Sequence, residues 1–403
     1  MVLSHRLPFP PNKGEKIRTY NQLEHLRMEG CKITLFCTVD SAEEQRLARD
    51  YENETGFTII FVKSGFRKPS MLLGMLTGRP LSVTNFYNRA LQKRFDGYLL
   101  ENSADAIYCT SSAMAEYVFR GESAVRMRDD KRRDLIDFMD LDSDKWRQYR
   151  EVSGFLMSLI YRYEVTTLAR YESRIQKRFD ECIFISINET RLFSSQLKTS
   201  AENLKVIGNG VDLTAFRPPD SPRQWEGTTL LFSGVMDYLP NENAMLWFVE
   251  HVWPKLSKGH PDVRLVIAGM NPSQPILDLA KDDRITVTGY VDDMLAYYHE
   301  ANIFVAPFQI ARGVQNKILQ AFACSLPVVT TAFGAEGIDC TDGTHYLQAN
   351  EPEQFIEKIN QLIEDRSCYN RISCKALELV TEQFTWESSN RKLYRLFNSS
   401  GGR

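Results

Sequence analysis

What most limits the folds open to this chain is an alternation that occurs twice. Short apolar runs rich in β-branched and aromatic residues are separated by longer stretches of helical pattern, which marks parallel sheets covered by helices. In the first half, the runs 32–37, 57–62, 105–109 and 135–138 read as buried strands; mostly helix spans 145–180, and strands at 181–186 and 205–207 follow. Residues 1–5 leave room for a short first strand. The proline-rich segment 216–222 has no periodic pattern and reads as a linker. A second series then begins, with strands expected at 229–233, 263–268, 285–288, 303–307 and 327–331. The expected fold class is α/β: two Rossmann-like domains facing a common cleft at their strand C-termini, where ligands of such sheets bind.

Composition removes several other classes. A length of 403 residues suits two domains with their own cores, so a small disulfide scaffold is excluded. No run approaches the roughly 18 apolar residues of a spanning helix, and the start Met1-Val2-Leu3-Ser4-His5 lacks the parts of a signal peptide, so a cytoplasmic location is expected. The 8 cysteines include no C-x-x-C pair and read as reduced core residues, and the 6 histidines have no metal-ligand spacing. Residues 1–200 carry 31 Lys+Arg against 27 Asp+Glu, while 201–403 carry 18 against 25. This asymmetry suits a basic first half facing an anionic surface or substrate, or is ordinary surface variation; it is too mild for a duplex nucleic-acid binder. Neither G-x-G-x-x-G after a strand nor G-x-x-x-x-G-K-[ST] occurs, which removes the main support for a dinucleotide oxidoreductase or a P-loop NTPase.

Several segments could carry chemistry. The strand ending at 305–308 enters a loop, 309–315, and a helix opens near Asn316-Lys317. Helix N-termini present unpaired N–H groups, and with Lys317 in the first turn the site suits a diphosphate. The alternative is that Arg312 and Lys317 only solvate a helix end, but a lysine against the positive end of the helix dipole calls for a reason. At 234–244, Gly234 would allow close backbone approach and Asn241 would cap a helix, either for a ligand or as a plain βα turn. At 5–18, prolines stiffen a loop, Gly14 would let backbone N–H groups approach a ligand, and Lys13, Lys16 and Arg18 would make it cationic, unless it is a basic surface turn. Asp140, Asp142 and Asp144 alternate like calcium ligands but lack the glycine and distal glutamate of that loop. They would line the cleft and bind sugar hydroxyls, with Asp144 equally suited to capping a helix. The basic and apolar stretch 63–76 fits an interfacial segment or a buried helix with a basic entry loop.

On the segments 5–18, 140–146, 208–212, 236–241, 311–317 and 335–339, the chain resembles GT-B glycosyltransferases of family 4 type, near the sugar transferases of bacterial exosortase/PEP-CTERM exopolysaccharide loci. The resemblance covers nearly the whole chain. It implies an acceptor-binding domain over 1–212, a nucleotide-sugar-binding domain over 213–383, and a helix in 384–403 that crosses back to the first. It also implies retaining transfer from a nucleoside-diphosphate sugar to a saccharide or lipid-linked saccharide, in the cytoplasm, with peripheral contact at the inner membrane face as a further expectation. Lys317, Gly14 and Asp140 are then the candidate catalytic residues. Gly234, Asp237, Asn241, Gly269, Arg312, Gly313, Asn316, Gln320 and Glu336 are the candidate donor contacts. Two positions depart from the family, which commonly has glutamates where Arg312 and Gln320 stand; Gln320 can still bond ribose hydroxyls, whereas Arg312 can accept no hydrogen bond. The family's Arg and Lys after the first strand of the second domain are absent from Asp237-Tyr238-Leu239-Pro240-Asn241-Glu242. Lys317 and helix N-termini would therefore carry more of the phosphate charge. No cofactor is implied beyond the donor, and metal is expected to be dispensable. A nucleotide-sugar epimerase and a catalytically weak scaffold for polysaccharide assembly stay open as alternatives.

Overall fold

The computed structural model describes residues 1–12, 14–64, 78–121, 132–151, 154–197, 202–223, 225, 227–310 and 314–398. It divides into two compact units, one of residues Met1–Gly208 with Asn390–Arg403, the other Asn209–Ser389.

The first unit is built on seven parallel strands: β1 (Val2–Leu3), β2 (Thr34–Val39), β3 (Thr58–Lys63), β4 (Ala106–Cys109), β5 (Arg133–Met139), β6 (Glu181–Phe184) and β7 (Leu204–Val206). Their order in the sheet is β3-β2-β1-β4-β5-β6-β7. Neighbouring side chains of one strand enter opposite cores, as the two-residue repeat of a strand demands. Leu35, Leu135 and Ile183 join Leu23 and Leu26 on one face, while Phe36, Ile136 and Phe184 join Phe95 and Ile175 on the other. Both faces are dry, which is why these strands read as continuous apolar runs rather than alternating ones. Residues 390–398 close the first of these cores: Leu393 is buried there, Phe397 packs edge-on against Tyr108, and Asn390 Nδ2 donates to Asn21 O at 2.9 Å.

The second unit has six parallel strands: β8 (Thr228–Ser233), β9 (Val263–Ala268), β10 (Ile285–Gly289), β11 (Ile303–Ala306), β12 (Val328–Thr330) and β13 (Leu347–Gln348), in the order β10-β9-β8-β11-β12-β13. In each sheet the winding reverses once, between β1 and β4 in the first and between β8 and β11 in the second. The crevice at the strand C-termini beside such a reversal is where open α/β sheets take ligands.

Three expectations change. The segment 216–222 is no free linker but part of the second unit: Phe216 packs edge-on against buried Tyr298, and Pro218–Pro222 wall a cavity with Arg223, Trp225 and Tyr369. The unit also begins before 213 and runs past 383. Val211 N donates to Phe384 O at 2.7 Å and bridges to Thr385, while a Cβ on Gly210 would fall 2.2 Å from Trp386 N, so the two stretches are locked together. All eight cysteines are free; five are buried, but Cys374 is exposed rather than in the core. Among the described residues no helix is long and apolar enough to cross a membrane.

Candidate functional site

The strongest site lies in the second unit at the reversal between β8 and β11. Lys317 stands in the first turn of the helix Asn316–Ala323, whose N-cap, Gln315, makes no side-chain cap. Its Nζ donates to Asn241 Oδ1 at 2.7 Å and lies 4.4 Å from the ring centre of Phe232 and 5.1 Å from that of Phe308. Asn241 is itself oriented by donating through Nδ2 to Val235 O at 2.8 Å, which leaves its Oδ1 for the ammonium. Phe232 belongs to β8, and Phe308 is held by Thr331, whose Oγ1 donates to Phe308 O at 2.7 Å. Burial pulls the Lys317 ammonium down to about 7, and among the described residues it pairs with no carboxylate. A cation kept between two ring faces and one amide oxygen is a candidate for holding an anion.

Glycines shape the floor. A Cβ on Gly234 would sit 2.6 Å from Lys317 Nζ and 2.8 Å from Asn241 Nδ2, so a side chain there would push both groups from their places. Gly269 supports it from behind: its Cβ would fall 1.7 Å from Gly234 O, and Gly234 N donates to Ala268 O at 2.9 Å. Gly269 thus acts through backbone packing against Gly234. Gln320, one turn after Lys317, has its Oε1 3.2 Å from the Tyr298 hydroxyl, which also lies 2.7 Å from Ser233 Oγ. Of the other donor-side candidates, Asn316 is exposed at the helix start, and exposed Asp237 accepts from Asn271 Nδ2 at 3.1 Å. Half-buried Glu336 follows the helix Ala332–Ala335 after β12. Arg312 and Gly313 lie outside the described residues, as do Lys13 and positions 65–76 of the basic and apolar stretch. Sequence reasoning missed Phe232, Phe308, Tyr298 and Ser233, whose roles depend on contacts between distant strands.

The first unit separates its candidates. Gly14 is exposed at the start of the helix Gly14–Met28, and a Cβ there would meet nothing within 4 Å. Among the described residues, the basic side chains expected around it are turned inward or paired. Arg18 is 2% exposed, its Nε donating to Asp137 Oδ2 at 2.7 Å and its NH2 to Ile207 O at 2.8 Å; Gln22 Nε2 and the Tyr108 hydroxyl complete the shell of Asp137. Lys16 is buried with its Nζ 3.9 Å from Glu44, and Arg6 pairs with Glu15 at 2.6 Å. These charges are turned inward or paired because positions 16, 18, 19, 22, 23 and 26 form the face of that helix against the sheet.

After β5, Met139 adopts φ 61°, a costly conformation for a non-glycine residue, with its N–H held by Asp137 Oδ1 at 3.0 Å. Asp140 follows and is exposed. The turn is fixed from below: Leu141 N donates to Glu189 Oε2 at 2.8 Å and Ser143 N to Glu172 Oε1 at 3.0 Å. Burial pushes the Glu172 carboxyl up to about 8. Asp142 accepts from Ser112 Oγ at 2.6 Å, and Asp144 is held by Arg147 and Gln148 of its own helix at 2.7 and 2.9 Å. Of the three acids, Asp140 alone is exposed; Asp142 and Asp144 organise the turn rather than present free carboxylates.

Two doubly wound parallel sheets in two successive units are the architecture of the GT-B fold. Residues 227–365 match the family model of glycosyl transferases group 1. An uncharacterized 44.6 kDa protein in the cps region of Klebsiella pneumoniae is 24% identical over 406 residues, 95% of this chain and 96% of that one. The lipopolysaccharide 1,2-N-acetylglucosaminetransferase of Salmonella typhimurium is 23% identical over 47% of this chain and 54% of its own. Among solved structures, HepE of Anabaena in complex with UDP superposes with a TM-score of 0.68 at 16% identity, over 99% of both chains.

Proposed function

We propose that the chain is a retaining glycosyltransferase that moves a sugar from a nucleoside-diphosphate donor to a saccharide or lipid-linked saccharide during cell-surface polysaccharide assembly. The observation that carries this reading is the Lys317 ammonium, held by Asn241 and two phenyl faces beside a helix N-terminus and, among the described residues, paired with no carboxylate. A diphosphate supplies a counter-ion. The donor end is further supported by the UDP bound to HepE, and the polysaccharide context by the cps-region and lipopolysaccharide relatives.

In the reaction, an acceptor hydroxyl oxygen bonds to the anomeric carbon on the face the diphosphate leaves. The bonding pair of the broken C–O bond stays on the diphosphate, and the acceptor proton passes to its departing oxygen. No side chain has to act as nucleophile or base. Lys317 and the helix amides act by meeting the charge that grows on the leaving oxygen. Gln320 would bond the ribose of the donor, and Asp140 would take part on the acceptor side. Metal is dispensable in this scheme because the lysine does the neutralising.

The test is nucleotide release from a panel of nucleoside-diphosphate sugars in the presence of a membrane glycolipid extract. The expected result is acceptor-dependent release that survives EDTA, falls at least 100-fold in Lys317→Ala, on the scale of lost transition-state electrostatics, and gives a product of retained anomeric configuration. Release of free altered nucleotide sugar without acceptor would instead mean an epimerase.

A further inference from the structure

The first unit holds a second concentration of cationic side chains that the transfer reaction does not use. A cavity of about 320 Å³ opens among the start of the helix Leu81–Phe86, the helix Ala115–Arg120 and the middle of the long helix Phe155–Arg178. Among the described residues its charged lining is Arg79, Arg120, Arg170 and Arg174 against a single carboxylate, Glu116.

That carboxylate is already engaged. Glu116 is 5% exposed, accepts from Arg120 Nε at 2.6 Å, stands 3.9 Å from Arg79, and has the Tyr171 hydroxyl beside it. Arg174 instead stacks its guanidinium 3.9 Å over the Phe119 ring, and Arg120 lies 4.0 Å over Tyr87. Arg170 is exposed and, among the described residues, makes no ion pair. Arg170 and Arg174 are four apart on one helix, an arrangement that costs stability between like charges. Among the described residues the cavity therefore gathers three more positive charges than negative ones, with two guanidinium planes fixed in advance by aromatic faces. Guanidinium forks of this kind match the oxygens of a phosphate, and fixing them beforehand lowers the entropy lost on binding.

We propose that this cavity is a phosphate-binding site, separate from the donor receptor at Lys317, for a phosphate carried either by a lipid headgroup or by a soluble molecule. Its position in the first unit agrees with the basic balance of residues 1–200.

Two arms on the full chain distinguish the sources. In the first, flotation compares vesicles of phosphatidylcholine with phosphatidylglycerol against vesicles of phosphatidylcholine alone. In the second, inorganic pyrophosphate is titrated calorimetrically into protein carrying Lys317→Ala, which removes the donor receptor. Arg170→Glu, at an exposed position, is expected to weaken one of the two bindings roughly tenfold, about what one lost charge-assisted contact costs. Arg79→Gln on the opposite wall should shift the same arm. Arg49→Glu, an equal charge change on the exposed face of another helix, should leave both within about twofold. Loss in the vesicle arm assigns a lipid phosphate, and loss in the pyrophosphate arm a soluble one. The proposal is overturned if wild type binds neither probe, or if Arg170→Glu and Arg49→Glu act alike, since the attraction would then be diffuse surface charge.

Discussion

At the scale of single residues, Lys317 sets the character of the proposed donor site. Its ammonium is pulled from the usual lysine range to about 7 by burial, so the folded chain binds fewer protons than the unfolded chain between about 7 and the ordinary lysine value. Stability tied to this group is full above that window and is lost as pH falls to about 7. Lys317→Met keeps the stem and removes the charge. Thermal melts should show the variant more stable than wild type at pH 6, with the gain shrinking steadily towards pH 10; a gain independent of pH would mean that the lysine is not desolvated in the free protein. An ammonium against the positive end of a helix was visible in the sequence as a cation in an unfavourable place. The partners that make it a receptor were not, because Asn241 is 76 positions away in the chain and Phe232 and Phe308 read as ordinary strand residues.

At the scale of elements, the buried parallel strands were legible because both of their faces are dry and their runs are unbroken. β13 escaped notice, since two residues carry no period. The face of the helix Gly14–Met28 was also hidden, because Lys16 and Arg18 look like solvent residues until the buried carboxylate of Asp137 is placed opposite them. Arg18 joins that helix to β5 and to Ile207, and Asp137 accepts four hydrogen bonds or close polar contacts in return. Asp137→Ala leaves the guanidinium buried without a counter-charge, which costs about 3–5 kcal/mol in comparable pairs. Urea unfolding of the first unit should show a loss of that size, whereas a loss below about 1 kcal/mol would mean that water reaches Arg18.

At the scale of the whole molecule, each unit carries its own sheet and core, and the first is completed by the end of the chain. Leu393 is fully buried among first-unit residues, so a chain ending at 389 lacks part of that core. Truncation there should lower the melting temperature of the first unit and raise its proteolytic cleavage, while leaving the nucleotide response of the second unit in place. Equal damage to both units would show that they fold as one. The division into two α/β halves was legible from the repeated alternation, but its boundary was not. Prolines at 218, 219 and 222 suggested a free connection, whereas Phe216 and Arg223 anchor that stretch to the second unit through Tyr298 and the carbonyls of Cys324 and Ser325.

The most direct test of the central claim is the melting temperature of wild type and Lys317→Ala titrated with uridine, guanosine, adenosine and cytidine diphosphates, since a ligand that binds only the folded state must raise it. The account predicts a saturable rise with at least one base, lost or much reduced in Lys317→Ala and weaker above pH 8, where the free lysine is largely uncharged. A wild-type chain whose melting temperature responds to none of them, or responds equally with Lys317 replaced, would contradict the assignment of this site to a nucleoside-diphosphate donor.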